Sequence, residues 1–441
     1  MKRVISILII FVLMSSLSAC GGATVSTGNE QNQQAATEAP AEEATAEPTA
    51  TEAAPTPFPE VKIVETDWVS LKATSIEQDS LGGYSFTFSV KNELDVGLSA
   101  FIVFTFNGWI ATENPFSFTV EPKAEETEQF SVPAEFFSSC GVDAVNEIIL
   151  QYTIYGDDNK SLVIDSATIY PLGEEAAKSA TAYQYVAKES DIQLCESEEA
   201  IAAVTDFGIN SENGCSMTFY VENTSDKTLR FKLSSCGLNE YVSPLGIFSP
   251  KMLPGTRFIK TCTIDADDLA KDGITEITRV DFNFSLLDNS DLSDVFVGTK
   301  TFYPSGAEMP RVERTPVEGE VVLVDNADFT IIVTACLDKP GSSRYGLSFY
   351  VENMSDKEVS IEVQNAEVNG QPCLSNSTIA DLPAGMRTNT IYTWNTDAFE
   401  KAGLTKDTVV EQVTLPIYIF SDGNRKAGDE VYQHNFKIKV W

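Results

Sequence analysis

Any catalytic triad or dyad in this chain would have to run through one imidazole, because His434 is the sole histidine. It sits in an alternating apolar segment near the end of the sequence and reads as an ordinary strand residue. One histidine is too few for a His-based zinc site, and no Cys-x-x-Cys pair occurs. The sequence also lacks a Gly-x-Gly-x-x-Gly, a Walker loop and a Gly-x-Ser-x-Gly elbow. Carboxylates are abundant, 65 in all, and nothing selects two of them as an acid–base pair. More pointed are three Asp-rich turns: Asp157, Asp158 and Asn159; Asp288 and Asp291 with Asp294; Asp422, Gly423 and Asn424. Oxygen-rich loops bind calcium, so Asp288, Asp291 and Asp294 are the candidate Ca2+ ligands. Asp, Asn and Gly are equally what a hairpin turn demands, and none of the three has EF-hand spacing. Trp109 follows the turn signal Asn107-Gly108 and is the candidate ligand-binding side chain. It reads either as an anchor for a sugar or protein at a loop tip, or as a cap on a sheet edge. The expectation is a non-enzymatic chain.

The chemistry at the N-terminus is of another kind. Lys2 and Arg3 precede an apolar run over residues 4–14, and Leu17, Ser18, Ala19 and Cys20 follow. Basic, apolar and small-residue segments in that order predict an export signal, too short for a retained membrane span. Leu17, Ser18, Ala19 and Cys20 resemble the lipobox of bacterial lipoproteins. That resemblance implies a signal peptide over residues 1–20 and a diacylglyceryl group on Cys20, which becomes the mature N-terminus. Two acyl chains at ~0.8 kcal/mol per buried CH₂ anchor stably, where one binds marginally. The other seven cysteines, at 140, 195, 215, 236, 262, 336 and 373, leave pairing open. An aligned copy below carries an aromatic where another has Cys215 or Cys262, which favours buried thiols over a required disulfide framework.

Residues 21–60 are rich in Ala, Thr, Glu and Pro and carry almost nothing large and apolar. They predict a disordered, extended tether, since such a composition cannot bury enough surface to offset chain entropy. Beyond it the sequence repeats. Phe219, Tyr220, Val221, Glu222 and Asn223 recur as Phe349, Tyr350, Val351, Glu352 and Asn353, and more weakly as Phe88 to Asn92. Asn92, Asn223 and Asn353 stand 131 and 130 residues apart. Leu253-Pro254-Gly255-Thr256-Arg257 returns around Leu382 to Arg387, and Gly141, Gly273 and Gly403 keep the same interval. Within each copy apolar residues alternate, as in Leu347, Phe349 and Val351, which predicts half-buried strands separated by turns. A short helix is expected over residues 397–402. With about seven strands each, residues 61–173, 174–310 and 311–441 read as three tandem β-sandwich domains of an all-β protein. Their strand pattern resembles the immunoglobulin-like modules of extracellular lipoproteins of Firmicutes. Such families imply surface interaction, so the resemblance informs fold more than function.

Charge narrows the partners. With 30 basic and 65 acidic residues the net charge is −35, which opposes contact with nucleic acid or anionic lipid. Membrane contact is therefore expected through the lipid on Cys20, at the extracellular face. The expected role is non-catalytic binding or adhesion toward an extracellular protein, glycan or cell-wall component. The alternative is a solute-binding or sensory accessory lipoprotein of a transporter or enzyme complex.

Overall fold

The computed structural model describes residues 60–440, apart from 112–115, 157–159, 211–213, 244–247, 339–342, 344, 375–377, 406, 422–424 and 426–428. The expectations at Leu17, Ser18, Ala19, Cys20, the tether, and the turns at 157–159 and 422–424 lie outside the described residues.

Alternation of apolar and polar side chains produces an all-β body, because only a pleated strand sends every second residue to the same face. The first repeat contains β1 (Val61–Glu65), β2 (Val69–Gln78), β3 (Tyr84–Asn92), β4 (Leu98–Phe106), β5 (Trp109–Ile110), β6 (Phe116–Val120), β7 (Glu125–Val132), α1 (Ala134–Ser139), β8 (Ile148–Gly156) and β9 (Ser161–Ile169). A connector carries α2 (Glu174–Ser179). The second repeat contains β10 (Ile192–Glu196), β11 (Ala200–Asn210), β12 (Gly214–Asn223), β13 (Leu229–Leu238), β14 (Tyr241–Val242), β15 (Lys251–Met252), β16 (Arg257–Ile264), α3 (Ala266–Lys271), β17 (Val280–Asp288) and β18 (Asp294–Phe302). The third contains β19 (Val321–Asp325), β20 (Phe329–Asp338), β21 (Tyr345–Asn353), β22 (Val359–Val363), β23 (Glu367–Val368), β24 (Gln371–Pro372), β25 (Thr378–Leu382), β26 (Arg387–Trp394), α4 (Thr396–Lys401), β27 (Gln412–Ser421) and β28 (Tyr432–Lys439). Among the described residues no helix is long and apolar enough to cross a membrane.

The pairing recurs three times. Four strands in the order β1-β2-β3-β7 correspond to β10-β11-β12-β16 and to β19-β20-β21-β26. Opposite them stand β4, β8 and β9, then β13, β17 and β18, then β22, β27 and β28. In each repeat both sets feed one core: Phe86 and Phe88 of β3 meet Phe104 of β4, with Phe86–Phe104 ring centroids 5.2 Å apart. Each such buried ring contributes ~1.5–3 kcal/mol over leaving it exposed.

The repeated asparagine has a structural cause. The Asn353 side chain is fully buried and its Nδ2 donates to the carbonyls of Lys357 (2.7 Å), Leu382 (3.0 Å) and Pro383 (3.0 Å). Its Oδ1 accepts from the Ser355 amide (3.1 Å). Asn223 and Asn92 make the same set, to Lys227, Met252 and Leu253 and to Val96, Val120 and Glu121. An amide with two donors and an acceptor satisfies carbonyls that a buried crossing of chain would otherwise strand. The helices α1, α3 and α4 end alike, on Gly141, Gly273 and Gly403 with φ of 64°, 67° and 74°, where a side chain would be strained.

The sequence reading expected separate units, and the sheets depart from it. The second sheet of one repeat continues into the first sheet of the next through a parallel bridge, Trp109 to Arg257 and Tyr241 to Arg387. Two of the four sheets are thus mixed and span repeat boundaries.

Candidate functional site

The predicted calcium ligands are not gathered into a cage. Asp288 Oδ1 accepts from the amide (2.9 Å) and hydroxyl (2.6 Å) of Ser290, and Asp291 Oδ1 from the Ser293 amide (2.9 Å). These bonds hold both carboxyls below their usual range. They serve the turn between β17 and β18, and Asp294 opens β18 with its side chain exposed. Among the described residues no three His, Cys, Asp or Glu side chains converge as a metal site. His434 is exposed on β28, opposite Ile417 and against the Phe436 ring at 4.6 Å.

Trp109 is not a ligand anchor at an open loop tip. It is 2% exposed, with its ring edge-on to Tyr183 (4.8 Å) and Tyr220 (5.9 Å). It docks onto the next repeat. There the Arg257 amide donates to the Gly108 carbonyl (2.8 Å), and its guanidinium donates to the Tyr183 carbonyl (3.1 Å). The guanidinium carbon lies 5.5 Å from the Trp109 ring and 5.2 Å from that of Tyr183. The boundary between repeats two and three repeats this joint. The Arg387 amide donates to Glu240 O (2.8 Å), and its guanidinium to Val312 O (2.8 Å) and Asn239 O (2.9 Å), 4.3 Å from the Tyr241 ring. Asn107, Asn239 and Asn369, at φ near 50°, fix the docking turns, and each Oδ1 accepts two backbone amides. Tyr220 and Tyr350, which donate to Glu222 (2.6 Å) and Glu352 (2.7 Å), complete the receiving face.

Both ends of the array lack these parts. At the register of Glu222–Arg257 and Glu352–Arg387 the first repeat carries Lys91–Glu125, and Ser89 replaces the tyrosine. The third repeat ends its turn in the exposed Gln371 where its sisters have Trp109 and Tyr241. The joint residues follow position in the array.

Several clefts adjoin the first joint, among them one of about 700 Å³ lined by Trp109, Tyr183 and Arg257 and one of about 520 Å³, both within the ~300–1,000 Å³ of small-molecule sites. Phe101, Tyr152 and Tyr155 of the first repeat and Phe248 of the second line the smaller of these two, with Arg230, Lys251 and Lys260 as its cations and Asp165 as its acid. Arg230 and Lys251 are directly paired across β13 and β15, like charges in opposed positions. Burial, then Arg230, lowers the Lys251 pKa. Gln151, 7% exposed, lines the wall, and its Nε2 has no hydrogen-bond partner. None of these residues was singled out in the sequence. The signal available was the pair Arg230 and Lys251 at positions where the sister repeats have Ser99 and Thr119, or Ser360 and Asp381.

Of the seven described cysteines five are buried, Cys140, Cys195, Cys215, Cys236 and Cys373. Cys215 and Cys262 do occupy the register of Tyr84 and Phe130, and of Tyr345 and Tyr392. Burial pushes the Cys140, Cys215 and Cys373 thiols up to about 11. These thiols pack as small apolar groups.

No family model and no curated protein matches the chain. Among solved structures, red sea bream transglutaminase is similar over 54% of this chain and 31% of its own, at 12% identity and a TM-score of 0.16. An Amycolatopsis orientalis exo-chitosanase is similar over 52% and 26%, at 13% and 0.18. The Escherichia coli alpha-2-macroglobulin is similar over 85% and 23%, at 8% and 0.15. The chain spans less than a third of each, and at these TM-scores the likeness carries no argument about fold or function.

Proposed function

We propose that this chain is a lipid-anchored bacterial surface protein whose three tandem immunoglobulin-like sandwiches have a non-catalytic binding role toward a protein, glycan or cell-wall component. In this reading Cys20 carries the diacylglyceryl group, residues 21–60 are the tether, and the repeats stand at the extracellular face. The observation that carries it is the pair of arginine joints between successive repeats. At each boundary the arginine amide bonds a carbonyl of the preceding repeat and its buried guanidinium lies over that repeat's aromatic ring, which suits a surface that must present a site in a set orientation. Burying these arginines would bring nothing to three modules that acted singly.

The test is fractionation of full-length protein in a bacterial host, with sedimentation against isolated envelope polymers. Wild type partitions with membranes and retains the polymer, while Cys20→Ser is released. Equal partitioning of both proteins, or no polymer retained by either, contradicts the proposal. A second reading, a solute-binding accessory lipoprotein, is favoured by one observation: the cleft of Arg230 and Lys251 beside the first joint has small-molecule dimensions.

A further inference from the structure

We propose that the cleft between the first and second repeats binds a singly charged carboxylate carried on a six-membered ring, with Arg230 and Lys251 taking the carboxylate. The proposal rests on the binding reading above and names its ligand class.

Three independent features point there. The first is charge out of place. In a chain of net charge −35, two cations face each other across β13 and β15, and neither has a carboxylate partner among the described residues. Like charges directly opposite destabilise a strand pair. Both sister repeats avoid the arrangement at the same register, with Ser99 and Thr119 and with Ser360 and Asp381. An anion between the two cations removes the repulsion.

The second is an unmet donor. Gln151 is nine-tenths buried on β8, and its Nε2 is without an acceptor. A buried donor left unpaired costs free energy that a ligand oxygen would recover. The third is the shape and lining of the wall. Phe101 is 40% exposed, although large apolar side chains on its strand otherwise turn inward, and Tyr152, Tyr155 and Phe248 line the same space. Flat apolar surfaces of this kind pack against the faces of rings, whether sugar or aromatic.

The geometry also limits the charge. Arg230 Nε already donates to Asn289 (3.0 Å) and Nη1 to the Ser249 carbonyl (3.2 Å), leaving Nη2 and Lys251 Nζ to an anion. Asp165 also lines the cleft and repels a second negative charge. A single carboxylate meets both conditions better than a phosphate dianion. Two sources share this chemistry, a uronic acid residue of a glycan and a free aromatic acid.

The experiment is calorimetric titration of the full-length, detergent-solubilised protein with glucuronate, benzoate, their neutral counterparts glucose and benzyl alcohol, and inorganic phosphate. At least one acid is expected to bind, ~10-fold or more tightly than its neutral counterpart and than phosphate. Binding by glucuronate alone assigns the glycan source, and by benzoate alone the aromatic one. The double variant R230S/K251T takes the residues of the first repeat at that register, so its fold is retained. It is expected to lose ~10-fold or more in affinity with its Tm unchanged or raised. Gln151→Leu is expected to weaken the acid without affecting the neutral compound. Neither acid binding, phosphate binding as tightly, or the double variant binding as well as wild type overturns the assignment. If no acid binds while wild type and double variant retain envelope polymer equally, the cleft assignment fails and the surface-binding reading stands.

Discussion

Replacing Arg387 with alanine should unlock the third repeat from the second. The side chain is 2% exposed and makes two charge-assisted bonds, one to Val312 O of its own repeat and one across the joint to Asn239 O. The crossing bond supplies ~1.5 kcal/mol. The desolvated guanidinium over the Tyr241 ring adds ~2 kcal/mol. Against this stands the buried Nε, which has no partner and costs ~1 kcal/mol. The balance, about 2.5 kcal/mol, corresponds to a ~10²-fold rise in the opening of the joint. The amide of Arg387 bonds the Glu240 carbonyl across the joint, so hydrogen exchange at position 387 reads that opening directly. Exchange there should accelerate by about two decades in Arg387→Ala, while the Trp394 core of the third repeat stays protected. Arg387→Lys should recover only part, because an ammonium cannot span two carbonyls as a planar fork does. Acceleration below ~10-fold would refute the claim that this arginine locks the boundary.

Three further outcomes follow from the same geometry. Asn353→Ala strands three carbonyls and should lower stability by ~3 kcal/mol in urea unfolding of the third repeat; a loss under ~1 kcal/mol would remove the pinning role. At pH 8 the Cys140, Cys215 and Cys373 thiols, raised to about 11 by burial, should resist alkylation in the native protein and react once it unfolds; peptide mapping that finds them labelled rapidly in the folded state would contradict their burial. Lys251 has a folded pKa below its ordinary 10.5, so the unfolded chain binds the extra proton between those two values and stability rises with pH across that window. The gain in Tm toward pH 10.5 should be larger in wild type than in Lys251→Thr, a comparison that cancels the titrations of Asp165, Lys260, Tyr152 and Tyr155 around the cleft. Equal gains would show that Lys251 carries no penalty.

The β class, the short helix at Thr396–Lys401 and the 130-residue interval were legible, because each is written in local periodicity and turn chemistry that the chain obeys wherever it packs. Asn353 was found as a marker of the repeat; its carbonyl bonds were not, since two of the three join Leu382 and Pro383 some thirty residues away. Trp109 was placed beside a turn and left between a ligand anchor and an edge cap, because the side chains that bury it, Tyr183 and Tyr220, belong to the connector and the following repeat. Arg257 and Arg387 were both in view as part of an aligned motif. What hid their role was treating the repeats as alike, when the informative fact was the first copy's exchange of Glu and Arg for Lys91 and Glu125. The cleft was illegible because its walls come from β4, β5, β8, β9, β13, β15 and β16, and no single segment carries its pattern.

Display at the cell surface is most directly tested by mass spectrometry of the N-terminal peptide of the protein recovered from membranes of bacteria that process it. The account predicts a mature chain beginning at Cys20, heavier by a diacylglyceryl group on the sulfur. A chain that still carries residues 1–19, or one that begins at Cys20 with a free thiol, would contradict it.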